Sequence, residues 1–191
     1  MTEVQEAPQT VAPTELAGSW ELDPAHTSLG FAVRHAMVST VRGSFPEISG
    51  QATLDPTNPD ASSAEVTINA ASVTTRSADR DAHLRSPDFF DVETYPTLEF
   101  RSTAFKPTQD PATWIMVGDL TIKGVARPVE ITFTHLGNVV DPWGNTKAGF
   151  EGRGQISRRD WGLTWNAALA AGGVLVGDKV TLELDVQAKK V

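Results

Sequence analysis

VTLELDVQA, residues 180–188, sets Val180, Leu182, Leu184 and Val186 against Thr181, Glu183, Asp185 and Gln187. Strict alternation of this kind sends successive side chains to opposite faces of a strand, so one face seeks an apolar interior and the other water. The pattern recurs upstream. KAGFEGRGQIS aligns Ala148, Phe150 and Ile156, PVEITFTHL aligns Val129, Ile131, Phe133 and His135, and TWIMVGDLTIK aligns Trp114, Met116, Leu120 and Ile122. TLEFRS pairs Leu98 with Phe100, and AEVTINAAS turns Ala64, Val66, Ile68 and Ala70 inward. Further back, VRGSFPEISGQATLD aligns Val41, Gly43 and Phe45 before switching parity to Ile48, Ala52 and Leu54, with Pro46 marking a bulge or an edge. SLGFAVRHA places Leu29, Phe31, Val33 and His35 on one side, and Trp20 and Leu22 share a face.

Eight or nine strands joined mostly by short turns, each with one apolar and one charged face, predict an antiparallel sheet wetted on one side. Such a sheet buries its inner face as a two-layer sandwich or by closing into a barrel, and closure also removes exposed edges. An eight-strand barrel is either filled by its own side chains or holds one ligand, and alternation does not choose between the two. The 191-residue length, 40% hydrophobic, accommodates one domain with a sizeable core. The Pro, Thr and Glu content of the first 16 residues predicts a disordered tail, leaving 17–191 as a single barrel domain.

One segment breaks the alternation. In RSADRDAHLRSPDFFDVETYP, residues 76–96, Ser77 is placed to cap a helix whose first turn carries Asp79 and Asp81, favourably for the helix dipole. Pro87 ends that helix, and Ser86-Pro87-Asp88 starts a further short turn carrying Phe89 and Phe90. Two adjacent phenylalanines in a polar stretch need burial, which a cap over an apolar interior provides. RRDWGLTWNAALAAGGVLVGDK, from residue 158, reads as an irregular loop or short helical turn over one barrel mouth.

A formal charge of −8 repels nucleic-acid phosphates and anionic lipid surfaces, so neither is expected as a partner. With no cysteine, thiolate catalysis, thiolate metal sites and disulfides are excluded. The leader MTEVQEAPQTVAPTELA is acidic where a signal peptide is basic and lacks its apolar run, an argument for the cytoplasm. No stretch approaches the roughly 18 apolar residues of a membrane-spanning helix, so stable membrane insertion is not expected.

WELDPAHTSLGFAVRH (20–35) with Gly43-Ser44-Phe45, RDAHLRSPDFFD (80–91) with Tyr95-Pro96 and Phe100, GDLTIKGVARPV (118–129), RRDWGL (158–163) and VGDKVTLELDVQA (176–188) together resemble the YceI-like family. The resemblance runs in family order over residues 17–190. It implies a lipocalin-like barrel whose interior takes an isoprenoid, polyprenyl phosphate or quinone-like lipid without performing chemistry on it. It therefore implies no cofactor beyond a bound lipid, and leaves room for a homodimer. Many members of the family are secreted, and the acidic leader departs from that habit.

Read as the wall of a lipid pocket, a reading the resemblance favours, Phe31, Val33, His35, Phe45, Ile68, His83, Phe89, Phe90, Phe100, Trp114, Phe133 and Phe150 are the candidate ligand-binding residues. The rival reading of the same side chains is a dry, packed core. His26, His35 and His83 lack the close spacing of a metal site, and hydrogen bonds of His26 to Asp23 and of His83 to Asp81 are the expected alternative. Arg76, Arg80, Arg85, Arg158 and Arg159 could hold a pyrophosphate head in bidentate fashion. Spacing alone favours a solvated face paired with Asp79, Asp81 and Asp160. No catalytic residue is expected; a second reading, an isomerase or hydrolase acting on an apolar substrate, would use His35, His83 or Asp81. No GxSxG elbow or phosphate-binding glycine loop is present.

Overall fold

The computed structural model describes residues 13–191. Ten antiparallel strands follow one another: β1 Gly18–Leu22, β2 Ser28–His35, β3 Ser39–Phe45, β4 Ile48–Leu54, β5 Ser63–Asn69, β6 Thr97–Pro107, β7 Thr113–Ile122, β8 Val125–Val140, β9 Thr146–Ser157 and β10 Val176–Lys190. One helix, α1, spans Ala78–Arg85. Strands β1, β4, β5, β6, β7, β8, β9 and β10 form a closed eight-strand barrel, sealed where Trp20 pairs with Lys190 and Leu22 with Ala188. The remaining two, β2 and β3, form a hairpin on the same edge of β10 that β1 occupies nearer the C-terminus.

Ten strands replace the expected eight or nine because Pro46 divides what alternation reads as one segment, while the break at Pro24 falls where a turn is expected. Proline offers no amide hydrogen to a ladder. Pro24 opens a 3-10 turn, Pro24–His26, between β1 and β2, and Pro46 stands at the corner between β3 and β4. The first break is fastened to β10. Asp23 N donates to Gln187 O at 2.8 Å, and Thr27 Oγ1 donates to Gln187 O at 3.2 Å while accepting from Gln187 N at 3.1 Å. The Asp23 carboxylate accepts from Ala25 N, His26 Nδ1 and Lys147 Nζ, the last at 2.7 Å. The predicted Asp23–His26 bond is therefore present, and the lysine of β9 joins it.

The inward rows of the strands form two buried clusters. The larger runs from Leu29, Phe45 and Ile68 through Val73, Phe100 and Ile131 to Trp161 and Leu163. The smaller comprises Leu16, Trp20, Ala148 and Ala188. Residues 1–12 of the expected tail lie outside the described residues. Its last four residues form a 3-10 turn, Pro13–Leu16, and Leu16 is buried, with its carbonyl accepting from Trp20 Nε1 at 2.8 Å. An apolar side chain four residues before a buried tryptophan was enough to recruit the chain.

The helix begins at the expected place, but Ser77 makes no side-chain cap bond. Asp81 takes over the local anchoring: its Oδ1 accepts from Thr75 N at 2.7 Å and Thr75 Oγ1 at 2.6 Å. Arg85 donates to Ala71 O and Val73 O, and Arg80 to Thr75 Oγ1 and Thr75 O. The helix is held by these clamps, since eight mostly polar residues fall short of what an isolated helix needs in water. As predicted, a second turn follows; Phe89 N donates to Ser86 O and Phe90 N to Leu84 O, both at 3.0 Å.

A candidate ligand lumen

A cavity of about 640 Å³ runs inside the barrel, from Leu16 and Trp20 near one end to α1 and the loop after β9 at the other. Each of the twelve side chains expected in the ligand wall borders it. Phe31, Val33 and His35 come from β2, Phe45 from β3, Ile68 from β5 and Phe100 from β6. Trp114, Phe133 and Phe150 come from β7, β8 and β9, His83 from α1, and Phe89 and Phe90 from the turn after it. Sequence reasoning left several lining residues out of that set: Leu16, assigned to the tail, Trp165, placed in the irregular loop, and His135. Spacing does not mark Trp165, since the 3-10 turn Arg158–Trp161 ends at Gly162 in the left-handed region and the chain beyond it is irregular. Leu182, Leu184 and Val186 had been read as inward but not as part of the site, and they border the cavity too.

Burial distinguishes a hollow interior from a packed one. In a dry core, the inward rows of the strands would be fully buried. Here Phe31, Val33, Phe133, Val180, Leu182, Leu184 and Val186 all point inward but are only half-buried, because they border open space. Glycines help to keep that space clear. Phe31 pairs with Gly43 and Phe133 with Gly152 across neighbouring strands. A Cβ on either glycine would stand 2.5 Å from the facing ring, so each ring occupies room that only glycine leaves.

At the helix end, aromatic contacts close the wall. His83 meets Phe89 and Trp165 edge to face, with centroids 5.0 and 4.6 Å apart, and Phe90 packs edge-on against Phe45 at 5.5 Å. His83 Nε2 bonds Asp88 at 2.8 Å, correcting the expected pairing with Asp81. Asp81 faces Thr75; burial raises its pKa, but the Thr75 hydroxyl and amide and the Arg85 charge prevail and hold it below the usual carboxylate range. Held below the usual carboxylate range and bonded to Thr75, Asp81 is a weak proton acceptor. Among the described residues, no cluster of three or more His, Asp or Glu has the arrangement of a metal site.

The arginines also depart from expectation. Arg158, 5% exposed, donates to Gly177 O, Leu163 O, Trp165 O and Val176 O, and lies 3.6 Å from Asp178. Desolvation lowers its pKa against the attraction of Asp178. Arg159 pairs with Asp178 at 2.8 Å, not with Asp160. Backbone carbonyls near the helix and loop are left without partners by ordinary secondary structure, and guanidinium donors satisfy them. Among the described residues, no helix is long and apolar enough to cross a membrane.

A family model described as a YceI-like domain matches residues 20–188. Among curated relatives, the chain is 38% identical over 152 residues to UPF0312 protein plu2095 of Photorhabdus laumondii, covering 78% of each chain. It is 38% identical over 154 residues to protein YceI of Escherichia coli, covering 80% of each. Among solved structures, Burkholderia cenocepacia BcnA superposes with a TM-score of 0.74 at 25% identity, over 87% of this chain and 98% of that one. A Saccharophagus degradans domain described as polyisoprenoid binding shares the fold, with a TM-score of 0.66 at 15% identity over 90% and 98% of the two chains.

Proposed function

Because this chain belongs to the YceI-like domain family, we propose that its lumen holds one long apolar or amphiphilic molecule of the isoprenoid, polyprenyl phosphate or quinone class, and that the protein carries or sequesters that molecule without transforming it. The observation that carries this reading is the hollow, continuous cavity of about 640 Å³, walled by inward side chains of which several, Phe31, Phe133 and Leu182 among them, remain only half-buried. Pockets of roughly 300–1,000 Å³ lined mainly by apolar and aromatic groups take drug-sized ligands. Burying an apolar chain there removes its surface from water at about 25 cal/mol per Å², which favours uptake without a dedicated polar contact. The Saccharophagus degradans domain, described as binding polyisoprenoids, supports the fold of such a container and leaves the guest to be identified.

Organic extraction of purified protein followed by mass spectrometry tests the proposal. A long-chain lipid at near-stoichiometric amount is the expected result. Repeatedly empty protein that also fails to take up a fluorescent prenyl probe overturns it. Alanine replacement of His35 and His83 separates carriage from catalysis: loss of turnover of a prenyl substrate with uptake intact identifies an enzyme.

A further inference from the structure

Two apolar tips meet at the helix end of the lumen. The β2–β3 turn exposes Met37 by 64% and Val38 by 81%. Beside it lies AALAAGGVL, residues 167–175, a largely exposed stretch without one charged side chain, in which Val174 is 43% exposed. The tips touch. Ala36 N donates to Leu175 O at 2.7 Å, and Met37 Sδ stands 2.5 Å from where a Gly173 Cβ would be. Ala36 and Met37 hold φ of 49° and 63°, in a turn whose backbone usually selects Asn-Gly. Strain retained to project apolar side chains into water points to a use for them.

Positive charge surrounds the tips. Exposed Arg34 spans the hairpin, donating to Met37 O at 3.0 Å and Thr40 Oγ1 at 3.2 Å. Arg80 borders the same mouth, and Lys179 follows the apolar loop. Of the nearby acids, Asp178 is occupied by Arg158 and Arg159 and Asp81 is buried against Thr75, while Asp79, Asp88 and Asp160 stay exposed. The turns at the far end instead carry Asp55, Asp60, Asp110 and Asp141.

We propose that this lip docks on an anionic lipid bilayer, with Met37, Val38 and Val174 in the head-group boundary and Arg34 and Arg80 on lipid phosphates. Apolar tips combined with cations are the physical recipe for reversible interfacial binding, and guanidinium groups grip phosphate well. The net charge of −8 argued against anionic surfaces, but at a screening length of about 8 Å a bilayer senses only the charges facing it. Arg34 and Leu175 also border the lumen, so docking places its mouth against the membrane. The inference does not depend on what occupies the lumen.

Co-sedimentation of the full chain with vesicles of phosphatidylcholine, with and without phosphatidylglycerol, tests it. Binding is expected only to the anionic vesicles and is expected to weaken as salt is raised. Val38→Asp and Val174→Asp should each reduce the bound fraction about tenfold or more, Arg34→Gln less so. Val38 and Val174 lie outside the lumen, so prenyl-probe uptake should be unchanged in both variants. Trp143→Ser, at the 84%-exposed tip of the far end, should bind as the parent does. Absence of binding to anionic vesicles, indifference to both aspartates, loss through Trp143→Ser, or a dimer that Val38→Asp merely splits would each overturn the proposal.

Discussion

Phe133 lies directly across from Gly152, and its ring fills the place where a Cβ on that glycine would stand, 2.5 Å from Cε1. The pair lets a bulky aromatic lie along the wall and leaves the bore open.

Gly152→Ala should push the Phe133 ring toward the lumen. Overpacking of this kind costs about 1–3 kcal/mol, read as a lower urea midpoint. Prenyl-probe uptake should fall with it. Replacing Phe133 by Leu in the same chain should restore part of both; a rescue of neither would show that the ring and the glycine are not coupled.

Phe100→Asp should be among the most damaging single changes. Phe100 is 6% exposed, and a carboxylate there has no partner to receive it. Loss of the ring alone costs about 3–5 kcal/mol, so little folded protein is expected in circular dichroism at 37 °C. A folded variant that still takes up the probe would contradict the inward assignment of this strand.

Asp23 supplies a pH dependence with a defined sign. Its hydrogen bond to Lys147, assisted by His26, outweighs burial and lowers its pKa from 3.8 to about 2. A depressed folded pKa gives stability that is present above the unfolded value, near pH 4, and lost as pH falls toward 2. The gain is about 2 kcal/mol. Urea denaturation of parent and Asp23→Asn should differ by about that amount at pH 6 and converge near pH 2. A gap that persists unchanged at pH 2 would assign the loss to something other than ionisation.

Arg158→Met should loosen the loop after β9. The substitution keeps an unbranched apolar stem but deprives Leu163 O, Trp165 O and Gly177 O of their donor. Each buried carbonyl left unpaired costs about 1–3 kcal/mol. Limited proteolysis should then cut between residues 162 and 175 well before the strands, and resistance equal to the parent's would count against the clamp.

Much of the wall was legible because alternation in β10 or β8 records which side chains face inward, whatever lies inside. For the same reason it was silent on the bore: Leu182 and Leu184 alternate identically whether they meet a packed neighbour or a guest. Glycines opposite aromatics were the missing signal, and they become visible only once register is known. Leu16 was lost in a proline-rich, polar segment, since its partner Trp20 is recognised by contact and not by period. Arg158 and Arg80 read as surface charges because a carbonyl clamp leaves no trace in spacing. The Asp81–Thr75 bond likewise depends on how the chain turns before the helix, which composition does not encode.

Between β3 and the segment leading into α1, the ladder is reduced to one rung, in which Ser44 and Thr74 exchange two backbone hydrogen bonds of 3.0 and 2.9 Å. At about 0.5–1.5 kcal/mol each, these are a slight fastening beside the long ladders elsewhere. The barrel thus has a hem along its flank as well as a rim. A flexible chain could be laid in sideways once that hem parts, and its length would then be limited by the protein's height and not by the width of an end.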